Sequence, residues 1–191
     1  MKFKTLIIFS IFSILFFTAC DSKEEKKKEN VSSNNKYISA NSTQKRFVLN
    51  TIKNNTIRID IKNNKLLLKS SDNKLVLFNF FASWCPACKA EISNLVKLQD
   101  NFKNDVIVVG ILLEDFKSNK EIIEALEEYN INYTVTSSAE SFDLAKALGG
   151  LKAIPTLFLV DKDGNIFQKY VGIVPNEMLE IDIKKLLEQI G

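Results

Sequence analysis

Leu75-Val76-Leu77-Phe78-Asn79-Phe80-Phe81-Ala82-Ser83-Trp84-Cys85-Pro86-Ala87-Cys88 is an almost unbroken apolar run that gives way, within four residues, to two cysteines separated by two positions. Such a run from Leu75 to Phe81 suits a central strand covered on both faces. Ile92, Leu95, Val96, Leu98 and Phe102 then recur at helical spacing and predict a helix with one broad apolar face. The cysteine pair therefore stands at a strand-to-helix junction, where unpaired N–H groups and the positive end of the helix dipole favour thiolate over thiol. Cys85 is the candidate nucleophile. A bridge between residues this close removes little chain entropy, so a Cys85–Cys88 disulfide serves chemistry rather than architecture. Pro86 falls at an early helical position, where its missing N–H is harmless.

Cys-x-x-Cys also occurs in zinc sites, which normally need four ligands. This chain of 191 residues has no histidine and one further cysteine, Cys20, far upstream. Copper would require soft ligands beyond the pair, and the methionines are Met1 and Met178. Cys–His catalysis is excluded by composition. No cofactor beyond the redox-active disulfide is expected, and no metal.

Lys2 and Lys4 precede a run from Thr5 to Ala19 rich in Phe and Ile, the charged and apolar regions of a secretory signal. The run is short for a spanning helix, which takes about 20 residues. Phe17-Thr18-Ala19-Cys20 resembles a bacterial lipobox, with Phe17 in place of the usual leucine; an uncleaved anchor with an incidental cysteine is the alternative. The resemblance implies a signal peptide over 1–19, lipidation of Cys20, and attachment to the membrane by acyl chains. Residues 20–46, rich in Lys, Glu, Asn and Ser, are expected to form a flexible tether. Of the 26 Lys and Arg and the 23 Asp and Glu, nine and four lie in residues 1–46, so the remainder is mildly acidic. Nothing there suggests a nucleic-acid surface.

The folded domain is expected over 47–191. Phe47-Val48-Leu49 and Ile57, Ile59, Ile61 alternate like half-buried strands around an Asn54-Asn55 turn, an N-terminal β-hairpin. Val106 to Leu113 predicts another buried strand, Asn119 to Tyr129 an amphipathic helix, Tyr133-Val135 a short strand and Phe142-Leu148 a helix closed by Gly149-Gly150. Thr156–Val160 and Ile166–Tyr170 flank Asp163-Gly164, a hairpin signal. A last helix runs from Pro175 to about Ile190. Together these give an α/β mixed sheet with helices on both faces.

A second landmark is Ala153-Ile154-Pro155-Thr156, a proline at the first residue of a strand. With Trp84-Cys85-Pro86-Ala87-Cys88-Lys89 it resembles the thioredoxin fold. Asn79-Phe80-Phe81-Ala82-Ser83-Trp84-Cys85, Lys89-Ala90-Glu91 and Phe158-Leu159-Val160-Asp161-Lys162-Asp163-Gly164 resemble more narrowly its TlpA/ResA-like branch of membrane-tethered thiol-disulfide oxidoreductases. The resemblance implies that Pro155 is a cis-proline beside the disulfide and that Ile154 pairs with incoming substrate. It implies that Trp84 shapes the substrate surface, and that Pro86 and Ala87 tune the redox potential. Asn79 takes the place of the buried aspartate of thioredoxins proper and cannot titrate. Glu91, one helical turn after Cys88, resembles the cavity glutamate of the branch and takes the proton role instead; Ser93 replaces a proline usual in the family.

The implied function is a membrane-tethered disulfide reductase facing the periplasm or extracytoplasmic side, with protein disulfides as substrates. Oxidised apocytochrome c is one such substrate, in cytochrome c maturation, and an integral membrane thiol-electron donor re-reduces the pair. A disulfide oxidase, isomerase or antioxidant thioredoxin-like protein is one alternative. A non-catalytic thioredoxin-scaffold lipoprotein that binds a partner or soft metal is the alternative from another class.

Overall fold

The computed structural model describes residues 44–189. The expected signal peptide over 1–19, the expected lipidation site Cys20 and most of the expected tether over 20–46 lie outside the described residues. Strands β1 (Lys45–Asn50), β2 (Thr56–Lys62) and β3 (Lys65–Leu68) form an antiparallel sheet in that order. In β1 the alternation is realised directly: Phe47 and Leu49 are buried and Val48 is exposed.

The expected hairpin is present as β1 paired with β2, and β3 extends it to a three-stranded meander. Asn63 and Asn64 both have positive φ, 51° and 60°, the geometry of a two-residue hairpin turn that asparagine tolerates. That turn returns Leu66 and Leu68 against Ile61 and Ile59. Leu66-Leu67-Leu68 does not alternate in sequence, so periodicity gave no signal for β3.

The central sheet has the order β6-β5-β4-β7-β8. It comprises β4 (Leu75–Phe81), β5 (Val106–Leu112), β6 (Thr134–Val135), β7 (Thr156–Val160) and β8 (Ile166–Val171). β4, β5 and β6 run parallel, while β7 and β8 run antiparallel to their neighbours. All seven residues of β4 are buried, six of them apolar as a strand covered on both faces requires, and the seventh is Asn79.

Alternation along β4 separates two cores. Leu75, Leu77 and Phe81 face a layer built with α1 (Pro86–Asn101), α2 (Asn119–Leu126) and α4 (Asn176–Glu188), through Ile92, Leu95, Leu98, Ile122, Leu126, Leu179, Ile183 and Leu186. Val76, Phe78 and Phe80 face the other layer, where α3 (Glu140–Ala147) supplies Leu144 and Ala145. The N-terminal sheet closes the rest of that face with Phe47, Leu49, Ile59, Ile61, Leu66 and Leu68. Each such side chain contributes about 1.5–3 kcal/mol when fully buried. Helices therefore lie on both faces as expected, but among the described residues the second face has one, and a sheet does the remaining covering. Among the described residues no helix is long and apolar enough to cross a membrane.

The two sheets are tied at Gly164, whose carbonyl accepts from the Leu66 N–H at 2.7 Å. Gly164 has φ +86°, and a Cβ there would stand 2.5 Å from Leu67 Cδ2 and 3.1 Å from the Leu66 carbonyl oxygen. Gly164→Ala is expected to cost about 1–3 kcal/mol in urea unfolding, from the left-handed backbone and the displaced leucine together.

Candidate active site

β4 ends against the start of α1, and the connection Ala82-Ser83-Trp84-Cys85 carries the chemistry. Cys85 is the N-cap of α1, in extended conformation (φ −83°, ψ 115°), with Pro86 opening the helix. Its Sγ accepts from the Cys88 N–H at 3.2 Å, so one of the helix's unpaired donors points at the sulfur. No acidic residue occupies the first turn to oppose a negative charge there. Cys85 and Cys88 form a disulfide with Cα atoms 5.2 Å apart. Cys85 keeps 6% of its surface and Cys88 none, so an external sulfur can reach Cys85 only. Pro86 between them is exposed and Ala87 half-buried.

The Ile154–Pro155 peptide is cis, and the Ile154 carbonyl oxygen lies 3.9 Å from Cys85 Sγ. Pro155 is buried at the entrance to β7, its carbonyl accepting from the Gly172 N–H at 2.8 Å. Half-buried Ile154 packs against the core layer that contains both cysteines. The structure thus brings Cys85, Cys88, Ile154 and Pro155 together. Trp84 beside them is 58% exposed. Two further exposed apolar residues lie in neighbouring loops, Phe116 (69%) in the loop bonded to Ser83 and Ile173 (52%) in the loop bonded to Pro155 and Glu91. Neither stands out in the sequence, since a single exposed apolar residue carries no local pattern.

Glu91 lies on the buried face of α1 with Cys88, Ile92 and Leu95. Its Oε2 accepts from the Val174 N–H at 3.0 Å, and its Oε1 has no partner among the described residues. Burial raises its pKa above the ordinary carboxylate value, with the Val174 N–H and the Asn94 side chain offsetting part of the rise. The folded protein therefore binds the Glu91 proton more tightly than the unfolded chain. Stability is lost on this account as pH rises from the ordinary carboxylate range through the raised folded value. Glu91→Gln is expected to raise the midpoint of thermal unfolding at pH 7 relative to wild type, with the gain vanishing at pH 4 and below.

A second buried carboxylate, not anticipated from the sequence, anchors the loop. Glu114 Oε2 accepts from the Ser83 N–H at 2.5 Å, and its Oε1 lies 3.0 Å from Lys117 Nζ. Lys117 Nζ also donates to Ser83 Oγ at 2.6 Å. These contacts clamp the residue two before Cys85 to the segment after β5. Asn79, in the middle of β4, is fully buried with neither amide atom bonded among the described residues. Among the described residues, no group of three or more His, Cys, Asp or Glu side chains is placed to hold a metal ion.

Comparison with known proteins agrees with this geometry. The chain is 27% identical over 111 residues to the thiol-disulfide oxidoreductase ResA of Bacillus thuringiensis, covering 58% of this chain and 62% of that protein. It is 31% identical over 114 residues to the thiol:disulfide interchange protein DsbE of Pseudomonas aeruginosa, covering 60% of each. The match thus spans about three fifths of the length of these curated relatives. A solved structure from Chlorobium tepidum, assigned as a thiol:disulfide interchange protein DsbE, superposes with a TM-score of 0.61 at 23% identity, over 75% of this chain and 94% of that one. The fold is thioredoxin-like. The Redoxin family model matches residues 50–190. Because that match runs from the last residue of β1 past the end of α4, across the disulfide and the cis-proline alike, the chain belongs to the Redoxin family.

Proposed function

We propose that this chain is an extracytoplasmic thiol–disulfide oxidoreductase that reduces protein disulfides, held at the membrane by a lipid on Cys20. One observation carries the proposal: the Cys85–Cys88 disulfide at a helix N-terminus, with only Cys85 reachable and its sulfur against the carbonyl before cis-Pro155. In the reduced enzyme the Cys88 N–H and the helix dipole stabilise the Cys85 thiolate. That thiolate attacks a substrate disulfide, and one substrate sulfur leaves with the electron pair as a mixed disulfide forms. Cys88 then attacks Cys85, closing the Cys85–Cys88 bond and releasing the second substrate sulfur. Two electrons have passed from enzyme to substrate.

Glu91, one turn from Cys88 and raised in proton affinity, accepts the proton that Cys88 loses. Trp84 and Ile154 form the surface that receives the substrate, with Pro155 fixing the strand beside it. Pro86 and Ala87 set the potential. Reduction rather than oxidation is favoured by Ile154 before the proline, as in thioredoxins. The substrate we favour is the oxidised haem-binding Cys-x-x-Cys of an apocytochrome c, with misoxidised exported proteins second. An integral membrane thiol donor regenerates the dithiol.

Cys88→Ala should accumulate mixed disulfides through Cys85, because attack is retained and resolution is lost. Adducts recovered on non-reducing gels should contain apocytochrome c. Adducts with other exported proteins alone would redirect the substrate, and their complete absence would remove exchange as the function.

A further inference from the structure

Buried polar atoms are nearly always hydrogen-bonded, because an unpaired one has given up its bonds to water for nothing. Four such atoms share one layer under the disulfide: both amide atoms of Asn79, Oε1 of Glu91 and the hydroxyl of Tyr133 have no partner among the described residues. Asn79 faces this layer because it alternates with Phe78 and Phe80 and follows Leu77 and precedes Phe81 on the same side of β4. Glu91 reaches into it from the buried face of α1. Tyr133 enters from just before β6 and lies over Gly110, the β5 residue in register with Asn79. A Cβ on Gly110 would stand 3.4 Å from Tyr133 Cε2 and 2.9 Å from Phe81 Cε1. The glycine makes the room that the tyrosine ring fills.

The electrostatics agree with the placement. Burial pushes the Tyr133 hydroxyl to a higher pKa, and the Glu91 charge adds to the rise. The other groups around this layer are accounted for. The Val174 N–H bonds Glu91 Oε2, Asn94 on the same helix offsets part of the rise in the Glu91 pKa, the two cysteines lie at the start of that helix, and Tyr170 gives its hydroxyl to Asp182 at 2.6 Å. Among the described residues no lysine or arginine forms an ion pair with Glu91.

We propose that Tyr133 is a positioning residue for Glu91, donating its hydroxyl proton to Glu91 Oε1 when the carboxyl ionises, with the Asn79 amide lining the same polar pocket. The inference rests on the proton role given to Glu91 above. In the resolving step the Cys88 S–H bond breaks and its proton passes to the Glu91 carboxylate. The Cys85–Cys88 bond forms and the bond from Cys85 to the substrate sulfur breaks, with the electron pair leaving on that sulfur. Glu91 must therefore be charged beforehand, in a layer where the Val174 N–H is its one backbone donor. A neutral hydroxyl that turns to the bare oxygen on ionisation would stabilise that charge without adding one of its own.

The test is the pH profile of the resolving step, read in the full chain as the decay of a preformed mixed disulfide on Cys85, to which ionisation of the Cys85 thiol does not contribute. Its acid limb, absent in Glu91→Gln, should move up by about one pH unit in Tyr133→Phe, a loss of about tenfold in Glu91 acidity for one hydrogen bond to a charged group. Tyr170→Phe removes a hydroxyl from the same layer and should leave the limb where it is. A Tyr133→Phe limb superimposed on the wild type overturns the inference and leaves exchange intact. A limb that survives Glu91→Gln overturns it together with the role of Glu91. A measurement on the wild type needs neither turnover nor a variant: the ¹³C resonance of the Tyr133 Cζ should follow the titration of the Glu91 carboxyl carbon at the same midpoint. A Tyr133 signal that is flat through that midpoint also overturns the inference.

Discussion

Cys85→Ser is expected to reduce disulfide reductase activity to the level of the added reductant alone, a loss on the order of 10³-fold or more. The argument follows from access and charge. Cys88 has no exposed surface, so it cannot substitute as the attacking sulfur. Serine keeps the helix N-cap, since its oxygen accepts the Cys88 N–H as readily as sulfur does, and the fold should survive the change. What disappears is the sulfur nucleophile, which a serine hydroxyl cannot replace in exchange with a disulfide. Melting within a few degrees of wild type alongside abolished turnover of insulin disulfides is the expected pair of results. Residual activity within tenfold of wild type would contradict the assignment of Cys85 and would favour a scaffold that binds rather than reacts.

The largest expected effect on stability outside the core belongs to Lys117→Met. Lys117 Nζ lies 3.0 Å from a carboxylate that is fully buried, and it also holds Ser83 Oγ at 2.6 Å. Methionine keeps most of the side-chain volume and removes the charge. Glu114 is then left with the Ser83 N–H alone, and breaking such a pair from one side costs more than the pair contributes when whole. A loss of about 2–4 kcal/mol in urea unfolding is expected, somewhat below the usual range for wholly buried pairs because Lys117 keeps part of its surface. Removing both charges with Glu114→Gln in the same chain, which keeps an acceptor for the Ser83 N–H, should recover most of the loss. By contrast Lys184→Ala, which breaks the exposed pair with Glu180 at 3.2 Å, should stay within about 1 kcal/mol of wild type. A Lys117→Met protein as stable as wild type would mean that the clamp on the Ser83 loop contributes nothing.

The parts of this molecule that could be read from the chain are those set by local physics. The β4 run, the apolar stripe of α1 and the Asp163-Gly164 hairpin are periodicities or turn chemistry within a dozen residues, and each lies where it was expected. Cys85 at the N-cap follows from the same junction, and the burial of Glu91 follows from its spacing to Cys88. β3 escaped because three consecutive leucines have no period, although Asn63-Asn64 before them is a hairpin turn. The Ser83–Glu114–Lys117 clamp and the position of Tyr133 could not be read locally. Parallel pairing of β4 with β5, with Phe81 opposite Leu112, delivers Glu114 and Lys117 to a residue some 30 positions earlier. The cover of the second sheet face was likewise long-range, since Leu66 and Leu68 meet Phe78 and Phe158 only after the chain has folded back. Cys20 lies outside the described residues, and its proposed lipidation rests on the sequence Phe17-Thr18-Ala19-Cys20.

The direction of electron flow is decided by the reduction potential of the Cys85–Cys88 couple, measured by equilibrating the full chain against glutathione or a thioredoxin of known potential and counting free thiols. A reductase of the kind proposed here should lie near the reducing end of the range, at about −270 mV. A value near about −120 mV would make the pair an oxidant and contradict the proposal.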